Sequence, residues 1–277
     1  MRPQPGCALP ARTDRCPARM NRRVIVTRPA HEGVRWADAL KDAGLDAVAL
    51  PLIAIAPLQD ITALAAARLT VDRRDALMFV SSAAAAHFVD AAVVSALLAD
   101  AAPRCWATGP GTVRALQAAG VPASCIDAPS DDATQFDSEA LWAVVRPQVV
   151  AGTQVLIVRG GDATGQPGGR DWLARTVQLA GGAVEVVASY RRLAPSFSEI
   201  ERRLAVQAAT DGSVWLFSSS EGIANLRQAV PAVDWRAARA VATHPRIGEA
   251  ARAAGFGTVV LSQPGLAALA ASIESFQ

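Results

Sequence analysis

The sequence predicts an α/β protein built from two similar parallel sheets, each covered by helices on both faces. Three observations predict it. The apolar runs VIV from Val24, ALMFV from Ala76, VLIV from Val155 and VWLF from Val214 are continuous rather than alternating, the pattern of strands buried on both sides. Each run leads into a polar corner and then a helical stretch, the order that gives parallel strands with crossover helices. The whole set of strand–corner–helix units then occurs a second time.

Taken in order, VIVTRPAHEGVRWADALKDAGLDAVALP from Val24 reads as a strand, a polar turn, a helix, a glycine stop and a second strand. Its counterpart is VLIVRGGDATGQPGGRDWLARTVQLAGGAVEVVASYRR from Val155, in which Arg159 takes the place of Arg28. The next pair is MFVSSAAAAHF from Met78 and WLFSSSEGIANL from Trp215, where a strand ends in Phe and runs into serines. The last pair is CWATGPGTVRALQAAGV from Cys105 and VATHPRIGEAARAAGF from Val241, with Thr108, Pro110 and Gly120 opposite Thr243, Pro245 and Gly255. Three modules recurring in one order indicate duplication of a domain-sized unit, not a short solenoid repeat.

Composition narrows the function. A net charge of +2 over 277 residues is too small to direct the chain to nucleic acid or a membrane surface. Lys41 is the only lysine, and the surplus of arginine fits a high-GC coding bias before it fits anion binding. Cys7, Cys16, Cys105 and Cys125 lack CxxC spacing, and His31, His87 and His244 lack ligand spacing, so neither disulfides nor a metal is expected. The Pro- and Arg-rich segment before Val24 has no apolar core, so it reads as a disordered extension over residues 1–22, or as sequence upstream of a start at Met20, and not as a secretory signal. The alanine-rich stretch from Ala83 to Ala99 is broken by His87 and Asp90, which favours an amphipathic or buried helix over a membrane span. A cytoplasmic monomer is the expectation.

In open α/β sheets the ligand sits beyond the carboxyl ends of the strands. The repeated polar residues lie there: Thr27-Arg28-Pro29, Ser81-Ser82, Gly109-Pro110-Gly111-Thr112, Arg159-Gly160-Gly161, Ser218-Ser219-Ser220 and Thr243-His244-Pro245. Helix capping alone would account for any one serine corner. Six corners in two matching halves suggest a cleft lined by N–H, hydroxyl and guanidinium donors, suited to a substrate with many carboxylates or phosphates. GPGTVRALQAAG lacks the GxGxxG spacing, RGGDATGQPGG lacks the end of a P-loop, and no GxSxG surrounds a serine. Tyr190, the only tyrosine, stands in VEVVASYRRLAP where a strand leaves its domain. A phenol there could assist a leaving hydroxyl or simply anchor the connection.

The ordered set VIVTRP, FVSSAAA, TGPGTVRALQAAGV, VLIVRG, VVASYRR, FSSSEGIANL and VATHPRIGEAARAAGF resembles uroporphyrinogen-III synthase from Val24 onward. The resemblance implies two flavodoxin-like domains joined by a two-stranded linker. Residues 23–52 with 196–277 would form one domain, residues 58–187 the other, and 53–57 with 188–195 the linker strands. It implies a cofactor-free lyase of tetrapyrrole (haem) biosynthesis that closes linear hydroxymethylbilane to uroporphyrinogen III, losing water and inverting ring D. The eight carboxylates of that substrate suit the donor-lined corners. Carried over by position, the family's tyrosine falls on Tyr190 as the catalytic candidate. The threonine of the Gly-Pro-x-Thr corner falls on Thr112, and the serines of the second half fall on Ser218, Ser219 and Ser220. The second such corner departs from the pattern, since Ile247 fills the threonine slot and leaves Thr243, His244 or Arg246 as donors. A transient contact with hydroxymethylbilane synthase, which makes the substrate, belongs to the same expectation. Two rivals share the duplicated corners: a phosphosugar isomerase-like enzyme, for which Glu221 or His244 would be the base, and a hinged anionic-ligand-binding protein without chemistry.

Overall fold

The computed structural model describes residues 22–130 and 133–276, so the extension predicted over residues 1–22 lies outside the described residues apart from Arg22. The chain opens on β1 (Val24–Val26), α1 (Ala30–Asp42) and β2 (Ala47–Ala49), then crosses over through β3 (Ala54–Ala56). There follow α2 (Thr62–Leu69), β4 (Ala76–Phe79), α3 (Ser82–Phe88), α4 (Ala91–Leu97), β5 (Arg104–Ala107) and α5 (Pro110–Ala118). Next come β6 (Ile126–Asp127), α6 (Ser138–Val145), β7 (Gln154–Gly161), α7 (Trp172–Leu179) and the returning strand β8 (Ala183–Leu193). The chain ends with α8 (Glu199–Ala208), β9 (Val214–Phe217), α9 (Ser220–Ala229), β10 (Arg239–Ala242), α10 (Pro245–Ala253), β11 (Thr258–Leu261) and α11 (Leu266–Glu274).

The strands form two sheets. One is parallel throughout, in the order β11-β10-β9-β1-β2. Read from β2 and counted within that unit, the order is 2-1-3-4-5, the flavodoxin-like arrangement. The other sheet runs β3-β8-β7-β4-β5-β6 and is parallel except for β3. Substituting β7, β8, β4, β5 and β6 for β1, β2, β9, β10 and β11 reproduces the same plan, so the second unit is the first with its chain order permuted.

The duplication extends to backbone angles. Gly44 and Gly181, which follow α1 and α7, have φ of 86° and 90°, and Gly120 and Gly255, which follow α5 and α10, have 98° and 99°. These are left-handed helix stops that a side chain resists. Side chains alternate between the two faces of each sheet. In the first, Ile25, Trp215, Phe217 and Phe256 pack on one side and Val24, Val26, Leu40 and Leu216 on the other. In the second, Phe79, Phe88, Leu156 and Tyr190 oppose Met78, Trp106, Leu173 and Val177. Burying each large apolar side chain contributes about 1.5–3 kcal/mol, against about 0–1 kcal/mol for an exposed pair such as Lys41–Asp38. The continuous apolar runs therefore hold the sheets, not the surface charges.

The two-stranded linker is formed where β3 pairs antiparallel with the end of β8, Ile55 opposite Arg192. Asn225 Nδ2 of α9 donates to the Leu52 carbonyl at 2.8 Å and fixes the chain just before the crossover. Cys105 and Cys125 are free thiols, and burial pushes Cys105 up to about 12. Among the described residues no group of three metal-ligating side chains occurs, and no helix is long and apolar enough to cross a membrane.

Candidate functional site

The corners converge at the two switch points, after β1 and β9 in the first sheet and after β7 and β4 in the second. The threonines at the strand ends turn their hydroxyls inward. Thr27 Oγ1 donates to the Leu216 carbonyl at 2.7 Å and Thr243 Oγ1 to the Phe217 carbonyl at 3.5 Å, and both residues are buried. Their hydrogens thus go to neighbouring strands, which corrects the expectation that they donate into the cleft. Thr112 and its counterpart Ile247 are buried alike, so that slot faces the helix–sheet packing and tolerates an apolar residue.

The serine corners divide by position. Ser81 and Ser219 cap α3 and α9, accepting from Ala84 N at 3.1 Å and from Gly222 N at 3.4 Å. The next serines are not caps. Ser82 Oγ donates across to Glu32 of the other sheet's α1, and Ser220 Oγ is buried without a partner. Ser218 is half-buried beside them. Gly109 is extended and open to α5, and a Cβ there would lie 2.9 Å from the Phe136 Cβ. Pro110 and Pro245 both occupy the first helical turn, where a missing N–H costs nothing. His244 caps α10 through Nδ1, which accepts from Arg246 N at 3.1 Å, and the Arg246 side chain is exposed.

The two equivalent arginines differ in their surroundings. Arg159 is buried, with Nη1 3.2 Å from Asp171 and Nη2 2.8 Å from the Arg170 carbonyl. A Cβ on Gly169, whose φ is +125°, would come within 2.6 Å of that guanidinium. Arg28 lies over the Trp36 ring at 4.6 Å, and its Nη1 is 3.2 Å from Glu32. Burial pushes its pKa down, Glu32 opposes that, and the charges of Arg35 and Arg114 push it down further.

Tyr190 is placed by an irregularity. The β7–β8 register slips between Arg159 and Gly160, so that Ala188 faces Arg159 but Tyr190 faces Gly160. The ring then lies close against Gly160, where a Cβ would sit 2.6 Å from the Tyr190 Cζ, and His87 packs 5.7 Å away, centroid to centroid. Bulges of this kind re-aim one side chain. The phenol oxygen lies 3.2 Å from Ser81 Oγ, and the skipped Ser189 donates to the Ala84 carbonyl at 3.2 Å. Gly160 is therefore needed as space for the ring.

Contacts between the two halves join the corners. Besides Ser82–Glu32, Arg192 Nε of β8 lies 3.0 Å from Glu221 of α9. A cavity of about 210 Å³ opens between Thr108, Phe136, Arg159 and Arg170 on one side and Arg246 on the other. Burial raises the pKa of Glu139 there, but hydrogen bonds from Arg170, with a contribution from His244 across the cleft, hold it below the usual carboxylate range. Sequence reasoning missed Glu32, Trp36, Arg170 and Arg192. For the first two a signal exists, since residues 28, 32 and 36 follow one another at helical spacing; Arg170 and Arg192 reach their partners only through the tertiary fold.

Fold and site together define a class: a two-domain, doubly wound α/β protein whose paired switch points face a shared, guanidinium- and hydroxyl-lined cleft. The family model described as uroporphyrinogen-III synthase HemD matches residues 34–271, and the chain belongs to that family. Among solved structures it is similar to uroporphyrinogen-III synthetase from Helicobacter pylori, with 13% identity, 93% of this chain and 100% of that chain covered, and a TM-score of 0.58. It is also similar to a mutant uroporphyrinogen III synthase from the extremely thermophilic bacterium Thermus thermophilus, with 15% identity, 92% and 98% coverage and a TM-score of 0.53.

Proposed function

We propose that the chain closes hydroxymethylbilane to uroporphyrinogen III, releasing one water and inverting ring D, as a hydro-lyase that uses no cofactor. The observation that carries this reading is the family match over residues 34–271. The donor-lined corners supply the chemistry such a substrate needs: Arg28, Arg159 and Arg246 as charges, Ser81, Ser82 and Ser218 to Ser220 as hydroxyls, and the corners at Gly109, Thr112 and His244 as backbone. Residues 23–52 with 196–277 act as one domain and 58–187 as the other, hinged on 53–57 and 188–195. The cavity of about 210 Å³ is smaller than the roughly 300–1,000 Å³ usual for ligand sites, so a tetrapyrrole enters through opening of that hinge.

In this mechanism Tyr190 assists the departing hydroxyl. Ser81 Oγ already accepts the Ala84 N–H; donating its own hydrogen to the phenol oxygen leaves the phenol hydrogen directed at the substrate. The hydroxyl leaves as water, and the resulting azafulvene cation is attacked by ring D through its substituted carbon. The spiro intermediate fragments and recloses with the ring reversed, and the proton lost from the newly bonded pyrrole carbon balances the one given to the departing hydroxyl. The pyrroles supply the electrons, so the protein contributes mainly positioning. The reaction takes place in the cytoplasm, on a monomer that meets hydroxymethylbilane synthase transiently. The isomerase alternative is the weaker reading, because Glu221 is paired with Arg192 and His244 Nδ1 is engaged in capping α10.

The test is to supply freshly generated hydroxymethylbilane and separate the oxidised porphyrins by chromatography. The expected product is the type III isomer; type I alone, at the spontaneous rate, defeats the reading. Tyr190→Phe is expected to lower kcat about a hundredfold with an unchanged circular dichroism spectrum, and unaltered turnover would reduce Tyr190 to an anchor.

A further inference from the structure

Arg28 is unusually placed for a residue in a helix-start ion pair. Its guanidinium rests on the Trp36 ring, and its Nε is buried with no partner. Glu32 reaches it through one hydrogen bond, Nη1 to Oε2, while the other carboxylate oxygen accepts from Ser82 in the opposite half. An Arg–carboxylate pair is strongest when bidentate, and the i,i+4 spacing gives only a single-point contact here. Glu32 is the carboxylate paired with Arg28, and the cations Arg35 and, from the other half, Arg114 act against it. The counterpart Arg159 also has a buried Nε without a partner, but both of its terminal nitrogens are bonded within its own half, to Asp171 and to the Arg170 carbonyl. The Ser82–Glu32 bond must also break whenever the halves separate, since only the two linker strands connect them.

We propose that Glu32 is a resident stand-in for a substrate carboxylate. Arg28 and Ser82, with Arg114 nearby, form a subsite for one acetate or propionate group of the substrate, and Glu32 swings out as that group takes its place. The exchange converts a one-point contact into a two-point contact on Arg28 and relieves its orphaned Nε–H. The inference rests on reading the chain as a cyclase of a polycarboxylate tetrapyrrole.

Isothermal calorimetry with uroporphyrin III, a stable octacarboxylate probe, tests it without turnover. Glu32→Ala is expected to bind the probe about five- to tenfold more tightly than the parent chain. Glu32→Gln, which keeps the length and the bond from Ser82 and removes only the charge, is expected to shift the same way and serves if the alanine variant folds poorly. Adding Arg28→Ala to either variant is expected to abolish the gain. Unchanged or weaker binding by both Glu32 variants overturns the subsite. Absence of type III product from the parent chain would overturn the cyclase reading alone, since the calorimetric comparison does not depend on it.

Discussion

Arg28 and Arg159 occupy the same place in two copies of one design, yet the first is shared between halves and the second is sealed within its own. Asp171, the Arg170 carbonyl and the glycine at 169 enclose Arg159 and pin the loop after β7. Glu32 ties Arg28 instead to Ser82 on the facing unit. Duplication supplied both with a strand-end guanidinium. Both acids come from the arginine's own unit. What diverged is the acid's further partner: Glu32 is bonded across to Ser82 of the facing unit, a contact that opens and closes, while the Arg159 corner is closed within its own as a fixed wall.

The strongest way to break this comparison is at the fixed wall, where β7 also seats Tyr190. Gly160→Ala places a Cβ against the phenol ring and is expected to cut kcat about a hundredfold, as a displacement near 1 Å can. Steady-state kinetics on type III formation checks it, and a small effect would mean that the ring's position is not critical. The arginines themselves sharpen the contrast. Arg159→Ala is expected to cost about 2 kcal/mol in urea unfolding through its lost charged hydrogen bonds. Arg28→Ala is expected to cost less than that, because its ion pair is a single-point contact, and to appear chiefly as a raised KM. Equal losses of stability would erase the distinction between wall and contact.

Ile247→Thr restores the threonine that the other half carries at 112. Because the slot is buried, the expected outcome is about 1 kcal/mol of destabilisation from the unpaired hydroxyl and no gain in kcat; a gain would show that the slot faces substrate. The smallest effect is expected at His87, against the Tyr190 ring. Burial lowers its pKa below the ordinary 6.5, so the fold favours the neutral ring. That stabilisation is complete above about pH 6.5 and is lost as the pH falls below it. Melting temperatures across that range should fall less for His87→Asn than for the parent chain.

The repeated modules were legible because glycine, proline and serine encode corners locally. Gly44 and Gly181 need left-handed angles, and Pro110 and Pro245 start helices, whatever surrounds them. The roles of the hydroxyls were not legible. Thr27 and Thr243 look like donors in the sequence, and only the neighbouring strand shows where their hydrogens go. Ser81 and Ser82 are adjacent and alike, but one caps its helix and the other reaches the opposite half. Tyr190 could be singled out because no other tyrosine exists, while the register slip that aims it is a property of two paired strands and leaves no mark in either alone.

Strand β8 carries the phenol against Gly160 and, one residue later, begins its antiparallel run with β3. Swivelling of the far half therefore pulls on the same unbroken ribbon that seats the ring. On the proposed reading, closure around a guest and alignment of the Tyr190 phenol would be a single mechanical event, with the β8 backbone as the lever.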